Sequence, residues 1–510
     1  MVFPSAACQT CKNRRIKVGS PRCVISRAKQ LSGLQCDETQ PTCTRCRKSH
    51  RLCLSSAAAK EASFSIHSEN RYASGSTNRP RGPRSSLTVI RPRIDVQACA
   101  VAYYMQYHMP TCAVMDVPNV SGCLSECVAA WKTSGRTSEI VDLALSSMAL
   151  AVFSRTQKHR EAAAAALSKY QRLLKVSQFW ISQVEKAKLD AANMDACLLS
   201  IAFMGRFEGI AYGVEKSMDS VQSVPRIKTW HHYDGAMAVL KSWYNDRRHD
   251  GSSVSIIVQH IRRVILRTCL LRNQKLPDWL LDGEIFGEHG IELENDRIDI
   301  RILALRQAYM RLEHGINAAP AEQLNFAAKE IDKGLEDLAD QLPKSCSYQQ
   351  HIISSSNSFP QRYFLSPIVY SYQKTGYAAL WAQHFATRML VNKLRLRILE
   401  LSGDPNHIQQ RAECHTAIES MGDGLASTIP FCLERFSFDK DKPESIVLNT
   451  STDITPYLLN SVVWPLTIAS RLEGINVRQL SWFRDELAAI GEQIGDRVAE
   501  RAGASGWTII

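Results

Sequence analysis

Residues 7–17 read ACQTCKNRRIK and residues 36–53 read CDETQPTCTRCRKSHRLC. Their six cysteines, Cys8, Cys11, Cys36, Cys43, Cys46 and Cys53, follow the order C-x2-C-x24-C-x6-C-x2-C-x6-C. Without the eighteen residues Val18 to Gln35 that order becomes C-x2-C-x6-C-x6-C-x2-C-x6-C. A C-x2-C pair delivers two thiolates from one tight turn to a tetrahedral metal such as Zn²⁺. Two Zn²⁺ need eight coordination positions, and six thiolates fill them only when two sulfurs each bridge both metals. Six thiolates and two Zn²⁺ leave a net charge of −2, which neighbouring Lys and Arg offset. A segment of about forty residues is too short for a sufficient apolar core, so the metal must supply the folding energy.

With the gap closed, the segment resembles the fungal Zn2Cys6 binuclear-cluster transcription factors. All six cysteines fall into place, as does Pro41, two residues before the fourth, and Lys12, Arg14, Arg15 and Lys17 occupy the family's first helix. The resemblance spans Cys8 to Cys53 and implies two zinc ions per cluster, with Cys8 and Cys43 as the bridging sulfurs. It also implies that Arg14 and Arg15 read bases in double-stranded DNA, typically a CGG triplet. Physical chemistry agrees, since an Arg fork matches O6 and N7 of guanine in the major groove. Lys12, Lys17, Arg45, Arg47, Lys48 and Arg51 would mainly neutralise phosphate, which gives affinity and salt dependence without sequence information.

The interrupting segment, VGSPRCVISRAKQLSGLQ at residues 18–35, has neither helical nor strand periodicity. It reads as a retained intron: every Val codon begins GT, one Gln codon is CAG, and eighteen codons keep the frame. A genuine loop insertion is the competing reading, because surface loops lengthen cheaply. Two other metal sites then open. Cys8, Cys11, Cys43 and Cys46 would form one four-thiolate site, or Cys23 would replace Cys36 as a ligand.

Of sixteen cysteines, seven lie in the first 53 residues. The opening MVFPSAAC lacks the charged and apolar regions of a secretory signal, so the paired spacing is read as metal binding rather than disulfide formation. The remaining nine, among them Cys99, Cys123, Cys197 and Cys432, are expected to be buried thiols. Cys123 and Cys127 are spaced like a ligand pair, with no nearby partner in sequence to complete a site.

The formal net charge of +12 is unevenly spread. Residues 1–53 carry eleven Lys and Arg against two acids, and residues 54–93 carry seven against two. The rest of the chain is close to neutral, so the basic footprint for nucleic acid is N-terminal. Residues 54–93, rich in Ser, Gly, Pro and Arg, read as a disordered basic linker. Arg79, Arg81, Arg84, Arg91 and Arg93 would serve nuclear import, add phosphate contacts or merely solvate the tether. No sustained heptad follows the cluster, so dimerisation stays open.

From residue 94 onward helical periodicity dominates. The pattern predicts helices over 139–155, 161–183, 190–212, 230–245, 254–272, 296–314, 320–341, 367–401, 407–428, 455–472 and 478–501. No apolar run reaches the eighteen or so residues needed to span a bilayer. Residues 100–400 resemble the fungal-specific regulatory domain that accompanies such clusters. Ala166, Leu167 and Tyr170, then Leu198, Leu199 and Glu208, then His232, Gly235 and Ala236 in HHYDGAMAVL carry that resemblance. It implies an all-helical domain for regulation and partner contacts.

Enzyme signatures are weak. His231 and His232 are adjacent and diverge on a helix, so His232 is expected to be a satisfied structural residue. The Gly422-Asp423-Gly424 segment follows a helical pattern rather than a strand, which defeats a dinucleotide-binding reading. Trp131, Trp230, Trp243 and Trp381 are expected to be core anchors. The fold expected is a small Zn2Cys6 cluster module (1–53) and a large all-α regulatory domain (94–510), joined by the linker. The function expected is that of a nuclear, non-enzymatic transcriptional regulator binding double-stranded DNA, with homodimerisation, co-regulator contacts and no membrane association. Its rival is a helical interaction protein with a disrupted cluster.

Overall fold

The computed structural model describes residues 36, 42–53, 95–109, 123–184, 190–211, 230–247, 253–316, 319–353, 360–439, 446–451, 454–472 and 475–501. The chain divides into two units, Met1–Pro92 and Arg93–Ile510. In the first unit the described part is a short helix, α1 (Thr44–Lys48), with its flanking cysteines.

The second unit is mainly helical, and its core is built from two kinds of helix. One kind is amphipathic. α5 (Arg160–Val184) buries Ala162, Ala166, Tyr170 and Leu173, three to four residues apart, and exposes most of the side chains between them. α10 (Ala321–Asp340) does the same with Leu324, Ala328, Ile331, Leu335 and Leu338. The other kind is enclosed nearly all round. α4 (Glu139–Thr156) and α6 (Ala191–Ala211) belong here, the latter buried without a break from Met194 to Gly205. The buried hydroxyls of Ser146 and Ser147 in α4 donate to the carbonyls of Leu143 (3.3 Å) and Ala144 (3.0 Å), so their burial leaves no orphan donor.

Around these pack α2 (Val96–Tyr107), α3 (Leu124–Thr133), α7 (Trp230–Arg247), α8 (Ile256–Arg272) and α9 (Gly290–Glu313). The C-terminal half adds α11 (Thr375–Ser402), α12 (Ile408–Cys432), α13 (Pro456–Ala469), α14 (Val477–Ile494) and α15 (Arg497–Arg501). α11 lies against both α10 and α12. Arg388 of α11 forks onto Asp332 (2.8 and 2.9 Å) and reaches Glu336 (2.7 Å) of α10, fixing that pair in register. Gly422 and Gly424, discounted above as a nucleotide signature, lie buried in α12. A Cβ at Gly424 would meet the Phe385 ring at 2.9 Å, and one at Gly422 would meet Gln479 at 2.8 Å. These glycines let α11 and α14 approach α12 closely.

Between α8 and α9 the core is ionic. Arg262, with its side chain fully buried, donates to both carboxylate oxygens of Asp296 (2.5 and 2.9 Å) and twice to the Leu280 carbonyl (3.2 and 2.8 Å). Beside it Arg263 pairs with Glu288 at 2.5 Å and with Glu292 at 3.0 Å.

Strand structure among the described residues is confined to two antiparallel ribbons. β1 (Gln349–Ile352) pairs with β2 (Ile368–Ser371), Gln349 opposite Ser371, and β3 (Phe436–Phe438) pairs with β4 (Ile446–Leu448). This corrects the expected helix over 367–401: residues 368–371 are strand, and α11 begins only at Thr375. Trp131 is buried, and Trp243 and Trp381 pack half-buried against the core, as anchors should. The side chain of Trp230 lies outside the described residues. Among the described residues no helix is long and apolar enough to cross a membrane.

Candidate metal centre

The sequence TCTRCRKSHRLC at 42–53 folds into one helical turn and a reversal. Cys43 is the N-cap of α1, extended at φ −63° and ψ 147°, and its Sγ accepts the Cys46 N–H at 3.4 Å. The helix ends at Ser49, whose N–H bonds the Arg45 carbonyl at 3.2 Å. His50 then enters the left-handed region at φ 48°. That turn brings the Arg51 N–H back to the Cys46 carbonyl at 2.9 Å, a Schellman-type closure made here with His where Gly is usual. The reversed chain returns Cys53 to Cys43, whose N–H donates to the Cys53 Sγ at 3.4 Å.

As a result the sulfurs of Cys43, Cys46 and Cys53 all lie within 4.8 Å of one another. Cys43 and Cys46 are buried and Cys53 is half-buried. A tetrahedral zinc with Zn–S bonds of about 2.3 Å sets its sulfurs about 3.8 Å apart. The three thiols therefore fit one metal with small side-chain adjustments, and backbone N–H groups aimed at two of the sulfurs suit thiolate charge. Cys36 is buried too but falls outside this group of three. Cys8, Cys11, Lys12, Arg14, Arg15, Lys17, the interrupting segment 18–35 and the linker 54–93 lie outside the described residues. Of the remaining basic residues, Arg47, Lys48 and Arg51 are exposed, whereas Arg45 is half-buried. The left-handed turn at His50 was missed, and its only advance signal is that His, with Asn and Asp, enters that region more readily than most residues.

Elsewhere the cysteines behave mostly as expected. Cys127, Cys197 and Cys432 are buried, and desolvation raises their thiol pKa values, to about 11 for Cys197 and about 12 for Cys432. Protonated thiols of that kind are poor ligands and poor nucleophiles. Cys99 is half-buried. Cys123 corrects the expectation: it is exposed, because it caps the N-terminus of α3, where Glu126 accepts its N–H at 3.1 Å. Among the described residues, Cys123 and Cys127 belong to no ligand group.

Three residues of the second resemblance meet although they are far apart in sequence. The Tyr170 hydroxyl donates to Glu208 at 2.8 Å, and His232 Nε2 lies 3.1 Å from Tyr170 and 3.0 Å from Glu208. His232 is thus the satisfied structural residue expected, joining α7 to α5 and α6. Ala166, Leu198, Leu199 and Ala236 are buried, while Leu167 is exposed. A Cβ at Gly235 would meet nothing within 4 Å, so no steric need for glycine exists there.

No protein-family model matches the chain, and neither the curated proteins nor the solved structures compared with it give a match.

Proposed function

We propose that the chain is a nuclear, sequence-specific DNA-binding regulator of transcription that holds DNA through a binuclear zinc cluster. The observation carrying this reading is the convergence of Cys43, Cys46 and Cys53. If Cys8 and Cys43 bridge, each metal keeps two terminal cysteines. The grouping of Cys46 and Cys53 with Cys43 supports a reading in which those three share one metal, which would leave Cys11 and Cys36 for the other. A single site made of two C-x2-C pairs would have no use for Cys53, so its position favours the cluster.

Zinc would supply the folding energy of the small unit and hold α1 rigid. Arg47, Lys48 and Arg51 would meet phosphate, while Arg14 and Arg15 would read guanine in CGG-type sites. The helical unit would then carry homodimer or co-regulator contacts and no catalysis.

The test is zinc per chain by elemental analysis, followed by binding to CGG-containing and scrambled duplexes at several salt concentrations. Two zincs and preference for CGG are expected, with Arg14→Ala or Arg15→Ala costing about 1–3 kcal/mol of discrimination. One zinc would select the four-thiolate site. No zinc, or equal binding to both duplexes by the two-zinc protein, would overturn the regulator reading and leave a helical interaction protein with a broken cluster.

A further inference from the structure

Independently of the cysteine cluster, the helical unit contains a cavity of about 390 Å³. That volume lies within the range of small-molecule sites. Its walls come from α2, α4, α6, α7, α8, α13, α14 and α15. Gly205 and Gly209 of α6 contribute no bulk to it, and Met148, Val152 and Trp464 give it apolar surface.

One polar atom on its wall lacks what buried polar groups require. Tyr104 and His108 are 1% and 8% exposed, and their rings stack at 5.3 Å and 17°. His108 Nε2 has no hydrogen-bond partner, and the Tyr104 hydroxyl faces the Arg206 guanidinium. Buried polar atoms in native proteins are nearly always satisfied, so an exception on a cavity wall points to a group that can complete it from the cavity. Burial, and secondarily Arg206, pushes His108 down to about 4, so the imidazole is neutral at pH 7 and offers one donor or acceptor at each nitrogen.

The charge on the wall gives the ligand its sign. Arg206, Arg267 and Arg471 line the cavity with one carboxylate, Asp496, while Asp299, outside the lining, faces Arg267. That carboxylate already accepts the backbone N–H groups of Val498 (2.8 Å) and Ala499 (3.2 Å). Arg471 is buried, and desolvation lowers it to about 9, which keeps it charged at neutral pH. The Arg267 guanidinium stands 5.6 Å over the Trp464 ring, so cation and flat apolar surface adjoin.

The geometry points to a binding site for a small organic anion, a carboxylate on an aromatic or branched apolar body. The anionic head would take the guanidinium side of the cavity, where charge-assisted hydrogen bonds in a low dielectric are strong. The body would cover Met148, Val152 and Trp464, and the polar edge would satisfy His108.

The experiment uses the full chain and two fluorescent probes of one shape. These are anionic 1-anilinonaphthalene-8-sulfonate and N-phenyl-1-naphthylamine, which lacks the sulfonate. Saturable binding of the anion at one site per chain is expected, about tenfold tighter than that of the neutral probe. 4-Phenylbutyrate should displace it and 4-phenylbutan-1-ol should not. Arg206→Met should weaken the anion about tenfold. Val152→Phe, and separately Ala499→Leu, should fill the cavity and abolish binding with the circular dichroism spectrum unchanged. Non-saturable binding, equal affinity for both probes, or full binding by a folded cavity-filling variant would overturn the assignment.

Discussion

Replacing Arg262 with Met tests whether the ionic core between α8 and α9 holds the helical unit together. Met matches the aliphatic stem but removes the guanidinium, whose donors serve Asp296 and the Leu280 carbonyl. Asp296 is left with its side chain 4% exposed and its bidentate partner gone, and Glu288, fully buried and 3.9 Å from Arg262, loses a second cation. Removing one member of a buried pair costs about 3–5 kcal/mol, chiefly through the stranded charge. Losing both donors to the Leu280 carbonyl adds roughly 1 kcal/mol. The expected total of about 4–6 kcal/mol is a large part of the 5–15 kcal/mol that usually separates native from unfolded. The assay is urea unfolding followed by far-ultraviolet circular dichroism and by Trp fluorescence, with coincidence of the two curves as the two-state check. Arg262→Met combined with Asp296→Leu removes both charges and should cost only about 1–2 kcal/mol, because apolar packing replaces buried ion pairs with little loss. A single variant within 1 kcal/mol of the parent, or a double variant as unstable as the single, would refute the reasoning.

Gly424→Ala should destabilise the helical unit by about 1–3 kcal/mol despite its gain in helix propensity, since the new methyl meets the Phe385 ring at 2.9 Å. Phe385→Leu added to it should return part of that loss in the same unfolding assay. His50→Gly removes a left-handed strain of about 1 kcal/mol, so competition with a chromogenic chelator should show the metal held about fivefold more tightly. Burial raises the Asp299 carboxyl to about 6, so the unfolded chain gives up this proton at lower pH than the native one does. Its burden on stability is therefore absent below about pH 4 and fully present above about pH 6. Relative to the parent, Asp299→Asn should gain about 1–2 kcal/mol between pH 4 and pH 6 in urea titrations, and a flat difference would reject the shift.

Much of the helical unit was legible because burial of one helix face leaves a three-to-four-residue rhythm, as in Leu324, Ala328, Ile331 and Leu335 of α10. Ile368 to Ser371 escaped because a short apolar run before a long helix reads as its first turn; only pairing with Gln349 to Ile352 makes it a strand. The Arg262–Asp296 pair was invisible for a related reason: its partners are 34 residues apart on different helices, and charge spacing along one helix says nothing of it. At the candidate metal centre the cysteine spacing pointed to Cys43, Cys46 and Cys53 lying together, since covalent spacing is itself the geometric constraint there. The cavity wall, gathered from residues between Tyr104 and Ala499, has no counterpart in local pattern.

The bond between Arg155 and Glu500, 2.7 Å long, spans 345 residues and joins the first third of the chain to the last of the described helices. α15 also rests on Gly491, where a Cβ would strike the Glu500 backbone nitrogen, and it packs against α6. A ribosome adding about 5–20 residues per second completes that span roughly 20–70 s after Arg155 is made. Through that interval the surfaces of α4 and α6 reserved for the final helices stay open to water and to other nascent chains. A stop codon before Val477 would remove α14 and α15 and leave the faces of α4 and α6 that they cover permanently unsealed rather than the chain merely shorter.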